Sequence, residues 1–157
     1  MYQFFSKLGY KKRQVEWLPI LLVRVCLGIF FILSGFFKVF DAKHHATLLD
    51  TLKKANIPFP AFNAYFVPLL ELVGGILVLI GLLCSLASLV LFVIMITALI
   101  TDRIASVAMH GGIMVLENFL YLPEVLYALL FLWLFFSGPG KVSLDHAYGK
   151  KKRLSTY

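Results

Sequence analysis

Pro68 to Leu82 reads PLLELVGGILVLIGL, an apolar run holding one carboxylate, Glu71, then the adjacent pair Gly74-Gly75 and, further on, Gly81. Helical spacing places positions 71, 74, 75, 78 and 82 on one face, so an ionisable group lies beside bare backbone. A carboxylate inside a hydrocarbon-spanning helix costs several kcal/mol and therefore needs a partner or a task. Small residues beside it let another helix approach closely enough to supply one.

Composition fixes the surroundings of that helix. The chain has 157 residues, 61% of them hydrophobic, and a mean hydropathy of +0.88. One small core could not bury so much apolar surface. The apolar residues fall in long runs rather than in alternation, which marks an all-α integral membrane protein, here a four-helix bundle. The net charge of +7 is placed at the ends of the chain. Lys7, Lys11, Lys12 and Arg13 precede the first apolar run, and Lys150, Lys151, Lys152 and Arg153 form the tail. Basic flanks of this kind orient membrane segments and touch anionic lipid. No basic, aromatic-rich soluble domain exists to carry a nucleic acid. Cys26 and Cys84 form no C-x-x-C pair, so neither a dithiol centre nor a metal site is indicated.

Working outward, residues 1–16 form a basic N-terminal segment, 17–140 a membrane domain and 141–157 a basic tail. The predicted spans are about 17–40, 64–84, 86–104 and 119–137, each near the roughly 20 residues a crossing needs. Between the first two spans, 41–62 is polar, and Leu48, Leu49 and Leu52 at helical spacing predict a short interfacial helix over His45–Ala55. Ile57-Pro58-Phe59-Pro60 stops that helix, because proline disfavours helix in the residue before it. A tight hairpin about Ser85 joins the second and third spans. Pro123 sits in the first turn of the fourth, where a missing N–H is tolerated, and Gly138-Pro139-Gly140 ends it. Four spans put both termini on one side, and the positive-inside rule makes that side the cytoplasm.

On the first span Arg24, Gly28, Phe31, Gly35 and Lys38 share one helical face, glycine-rich for close packing and charged, hence turned away from lipid. At 1.5 Å per residue, Arg24 lies about 10 Å inside one boundary and Glu71 about 10 Å inside the other. The expectation is a polar intramembrane pocket where Arg24 and Glu71 meet, with Lys38 near the outer boundary, snorkelling or turning inward to Glu71. The bland alternative is that these charges only register two helices. Glu124, one residue inside the fourth span, either favours the positive end of its helix dipole or joins Lys38 and Glu71. Asp102 and Arg103 cap the outer end of the third span. His44, His45 and His110 lie outside the spans, so a haem held between two intramembrane histidines is not indicated. Ser143 is placed to cap a short helix over Leu144–Tyr148; the alternative is that Asp145 folds back toward Arg24.

Taken in order, Arg24-x3-Gly28-x2-Phe31-x3-Gly35-x2-Lys38, Ile57-Pro58-x-Pro60, Glu71-x2-Gly74-Gly75 with Gly81, and Gly138-Pro139-Gly140-x2-Ser143-x-Asp145 resemble the DoxX family of small four-helix membrane proteins. The resemblance covers about residues 20–146. It implies a polytopic inner-membrane protein associated with oxidoreductases, related to the membrane subunit of a thiosulfate:quinone oxidoreductase, with some members in oxidative-stress and thiol-homeostasis assemblies. By that resemblance Arg24, Lys38 and Glu71 become the site residues to back. Some members carry a histidine late in the third span, where this chain has Thr101-Asp102.

The resulting expectation is a membrane subunit that places a quinone-like molecule for a soluble or membrane oxidoreductase partner. The chain offers no dithiol, haem-ligand pair or dinucleotide loop of its own, so the chemistry would lie with a cofactor or partner. The alternative is a non-enzymatic anchor or assembly factor that recruits a soluble partner. The glycine faces permit a homo-oligomer, though one bundle can also consume them.

Overall fold

The computed structural model describes residues 17–103 and 113–148, and the side chains of 102–103 and 113–116 lie outside that description. The described residues form helices joined by short connections, with no strand among them. Helix α1 is Trp17–Phe40, α2 is Ala42–Lys54 and α3 is Pro60–Ile80. Helix α4, Cys84–Ala98, continues into a π-helical turn, Leu99–Arg103. Helices α5, Ile113–Leu120, and α6, Pro123–Ser137, follow, and a last helical turn covers 144–148. Among the described residues, three segments are long and apolar enough to cross a membrane: Trp17–Phe40, Pro60–Ile80 and Cys84–Thr101.

The last apolar segment departs from its predicted bounds. The helix expected over 119–137 breaks at Tyr121-Leu122, and α6 begins at Pro123 and has 15 residues. Proline disfavours helix in the residue before it, and Leu122 is accordingly extended. At 1.5 Å per residue α6 is about 22 Å long, short of a hydrocarbon core of roughly 30 Å. The hairpin between α3 and α4 is also displaced from Ser85 to Gly81–Leu83. Gly81 closes α3 with φ +70, donating its N–H to Leu77 and Val78, a backbone setting open to glycine and costly elsewhere. Helix α2 starts earlier than expected because the Asp41 carboxylate caps it, accepting from the Lys43 N–H at 3.2 Å.

The helices pack chiefly in pairs, α1 on α3 and α4 on α6, with α3 against α4 joining the pairs. Glycines make the α1–α3 seam. A methyl group on Gly35 would sit 2.6 Å from the Leu72 nitrogen and the Pro68 oxygen, and one on Gly75 would sit 2.8 Å from the Ile32 nitrogen. Gly28 faces Leu79 and the Gly75 oxygen across the same seam. These glycines are spent within the chain, not kept for a second copy. Gly74 faces the other way, where Leu91 of α4 packs on it.

The core between the pairs is Leu27, Phe31, Val78, Leu91, Met95, Phe131 and Leu134 with the small residues Ala87 and Ala128. Phe31 and Phe131 meet edge to ring at 4.9 Å, a geometry their quadrupoles favour. The exterior is apolar as well: Leu22, Phe30, Leu33, Leu69, Val93, Leu126 and Leu129 are all exposed. Apolar helices that bury one stripe and expose another are built for a solvent of lipid.

Candidate functional site

Arg24 is 1% exposed and its guanidinium is claimed by backbone. Nε donates to the Val78 carbonyl at 3.0 Å and Nη2 to the Leu79 carbonyl at 3.0 Å. Nη1 donates to the Pro139 and Val142 carbonyls at 2.5 and 2.8 Å. The last carbonyls of a helix have no partner within it and carry the negative end of its dipole. The end of α3 therefore does for Arg24 what a carboxylate would do elsewhere. Arg24 thus ties α1 and the end of α3 to the segment that follows α6.

Around that tie the C-terminal motif closes the same end of the molecule. The Asp145 N–H donates to the Gly81 carbonyl at 3.0 Å. Its carboxylate accepts from the Leu83 and Cys84 N–H groups at 2.9 and 3.0 Å, satisfying orphan donors at the start of α4. Asp145 therefore caps α4, and the returning segment meets Arg24 through the Pro139 and Val142 carbonyls rather than through the Asp145 carboxylate. Ser143 Oγ accepts from the His146 N–H at 3.2 Å and donates to the Gly140 carbonyl, capping the 144–148 turn. Gly81 has no room for a side chain, since a methyl there would overlap the Arg24 guanidinium and lie 2.7 Å from Ser143 Cβ. Gly138 and Gly140 both have positive φ, which turns the chain back under the helices.

The expected meeting of Arg24 and Glu71 does not occur. Glu71 lies seven residues before Val78 on α3, about 10 Å along the helix at 1.5 Å per residue, and it has its own partners. Lys38 Nζ donates to Oε1 at 2.9 Å and to Oε2 at 2.7 Å. Ser34 Oγ donates to Oε2 at 3.2 Å. Glu71 is 2% exposed, while the Lys38 side chain is 31% exposed. The carboxylate is thus sunk in the seam and the ammonium reaches it from the rim. Sequence positions had placed Lys38 turning inward as one option, and that is its conformation. Ser34 escaped the sequence reading, although it stands one helical turn before Lys38 on α1 and so faces the same way.

The Lys38–Glu71 pair lines a cavity of about 260 Å³. Helix α2 contributes Leu48, Thr51 and Leu52, the following loop Ile57, and α3 Asn63 and Val67. Helix α4 contributes Val93, Ile94, Thr97 and Ala98, with Thr101 from the π-helical turn. Thr51 and Thr97 hydroxyls donate to carbonyls four residues back, so they present methyl groups and acceptor lone pairs to the space. The site is mostly apolar with a few convergent polar groups, the usual make-up of a small-molecule pocket. Helix α2 is held beside it by His45, whose Nδ1 is 3.2 Å from the Lys38 carbonyl oxygen and whose ring lies 4.2 Å from Tyr65.

The remaining candidates are not among the described residues that line this cavity. Glu124 stands in the first turn of α6, where its charge favours the helix dipole. His44 pairs with Asp41. His110 and the Asp102 and Arg103 side chains fall outside the described residues. Among the described residues no group of three or more His, Cys, Asp or Glu could hold a metal ion.

Comparison with known proteins bears on the sequence motifs and not on the cavity. No curated protein and no solved structure matches the chain. The family model described as DoxX matches residues 20–111. That match takes in the Arg24–Lys38 stripe, the Ile57-Pro58-x-Pro60 break and the Glu71-x2-Gly74-Gly75 helix, and it stops before the Gly138–Asp145 motif. The seam of glycines, the buried pair and the apolar exterior therefore belong to a membrane protein of this kind, and the chain is a member of the DoxX family.

Proposed function

We propose that this DoxX-family protein holds the head group of a small, redox-active, carbonyl-bearing molecule of the quinone type beside Lys38 and Glu71, as the membrane subunit of an oxidoreductase assembly. The observation that carries this reading is the buried carboxylate of Glu71, 2% exposed, neutralised at the wall of a cavity of about 260 Å³. Ionisable groups at membrane depth mark ligand or proton sites by default. The volume sits just below the roughly 300–1,000 Å³ common for whole-ligand pockets. It suits a ring-sized head group whose apolar tail stays in lipid.

The chain's own part in such an assembly is binding, orientation and proton handling. Lys38 has three N–H donors and can point one at a carbonyl oxygen. Glu71 can take up or release a proton while Lys38 and Ser34 hold it in place. Redox chemistry on a quinone-type molecule belongs to that molecule and to the partner that exchanges electrons with it. Arg24, expected in the pocket, is excluded from it by its four backbone acceptors and acts on the architecture instead.

The proposed setting is a bacterial-type inner membrane crossed four times, α6 making the fourth crossing with help from its flanking residues. Both basic termini then face the cytoplasm by the positive-inside rule, and the Lys38 end of the bundle faces outward. Purification in mild detergent followed by lipid extraction tests the function. Retained quinone-type lipid that disappears in a folded Glu71→Gln variant supports the proposal. Preparations with no such lipid, and no uptake of added short-chain benzoquinone, count against it and return the choice to a membrane anchor.

A further inference from the structure

The hydrogen-bond count at the buried pair narrows the chemical class of the ligand. A lysine ammonium has three N–H donors and an ionised carboxylate about four acceptor positions. Lys38 reaches both oxygens of Glu71 from one nitrogen, which takes one shared N–H or at most two of its three donors. Glu71 fills three positions, two with Lys38 and one with Ser34 on Oε2. At least one N–H on Lys38 and one lone pair on Glu71 Oε1 are left over, on two residues that both line the cavity. The pair is neutral as a unit. Among the described residues, the other lining side chains are apolar, threonine or asparagine, so none of these balances a further charge. A charged ligand would bring an uncompensated charge into a largely apolar space, and that is unfavourable.

From these valences we infer that the site selects an uncharged ligand carrying a hydroxyl, and so binds the reduced, quinol form in preference to the quinone. This rests on the proposed function above and deepens it. A quinol hydroxyl donates to Glu71 Oε1 and accepts from Lys38 with the same oxygen, meeting the open lone pair and an open N–H at once. A quinone carbonyl accepts from Lys38 only and leaves the Glu71 lone pair facing a group with no proton. Small oxyanions such as sulfate fit poorly, because Lys38 is already neutralised. The side-chain hydroxyls along the wall do not change the balance, since Thr51, Thr97 and Thr101 donate to backbone carbonyls.

The test uses the full chain in lipid nanodiscs and calorimetric titration with four probes: a short-chain p-benzoquinol kept reduced, its quinone, its dimethyl ether and sodium sulfate. The expected order has the quinol tightest, about tenfold or more above both the dimethyl ether and the quinone, the factor for one hydrogen bond made or missed in a buried site, and sulfate not measurably bound. Glu71→Gln should shrink the quinol-to-ether gap to within about threefold, on the same scale. Because Lys38 can still reach the rim in that variant, it is expected to fold, and helical circular dichroism checks this. If it does not fold, the wild-type ratio alone decides. Quinol and ether bound equally, or sulfate bound more tightly than either, overturns the selectivity while leaving a ligand site. No probe bound at all removes the proposed function together with this inference.

Discussion

Replacing Arg24 by leucine should unfasten one end of the molecule and leave the rest of the α1–α3 seam in place. The substitution removes all four donations from the guanidinium. Val78 keeps a second donor in the Gly81 N–H, so the carbonyls of Leu79, Pro139 and Val142 bear the loss. A buried acceptor left unmet costs about 1–3 kcal/mol, giving about 3–9 kcal/mol for the three. Pro139 and Val142 lie on a segment that can swing out to water, so the expected loss is near the lower bound, about 3–4 kcal/mol. Arg24→Lys should fall between, because one ammonium cannot span α3 and the returning segment as a planar fork does. Unfolding in mixed micelles measures the total, and hydrogen exchange locates it. The Leu83 and Cys84 amides, bonded to the Asp145 carboxylate, and the Asp145 amide, bonded to the Gly81 carbonyl, should exchange faster, while amides around Gly28 and Gly75 keep their protection. A leucine variant as stable as the parent, with those three amides still protected, would refute the reasoning.

Other consequences follow from the same geometry. Gly75→Ala should cost about 1–3 kcal/mol or more by overpacking the α1–α3 backbone contact, whereas Gly74→Ala meets only the flexible end of Leu91 and should cost clearly less; paired unfolding measurements check the contrast. Lys38→Met alone strands a buried carboxylate and should cost about 2–4 kcal/mol, discounted for the partial exposure of Lys38, and adding Glu71→Gln should restore most of it. A double-mutant cycle with a coupling below about 0.5 kcal/mol would contradict the pair. Asp41 is held below the ordinary carboxylate value of 3.8, chiefly by its hydrogen bond to His44. Its support for the start of α2 is therefore complete above the unfolded-state value and lost as pH falls through the lowered folded value, which an NMR titration of the Asp41 carboxyl carbon would follow.

The sequence made the membrane class, the order of the apolar helices and the glycine seam legible, because long apolar runs and small-residue spacing answer directly to lipid and to close packing. Lys38 and Glu71 were also legible, as ionisable groups that lipid does not tolerate alone. Arg24 was legible as a buried charge but its partner was not. It is met by carbonyls, which every residue carries and no residue type advertises. Reading charges only against charges therefore sent Arg24 toward Glu71. Asp145 was misdirected in the same way, since its partners are the backbone N–H groups that begin α4. The α3–α4 hairpin was misplaced because an apolar run continues through it. Gly81 marks the turn, but a glycine there also fits the packing face that precedes it. The cover of the cavity was out of reach for another reason: Leu48 and Leu52 announce an amphipathic helix, and nothing local says what it will lie on.

A ligand held by Glu71, and not by Arg24, must perturb the Glu71 carboxylate. Isotope-edited infrared difference spectra of the full chain in nanodiscs, with and without short-chain benzoquinol, test it most directly, the Glu71 carboxylate band being assigned by its loss in Glu71→Gln. This band should shift when the quinol binds. A bound quinol that leaves the Glu71 band unmoved would contradict it.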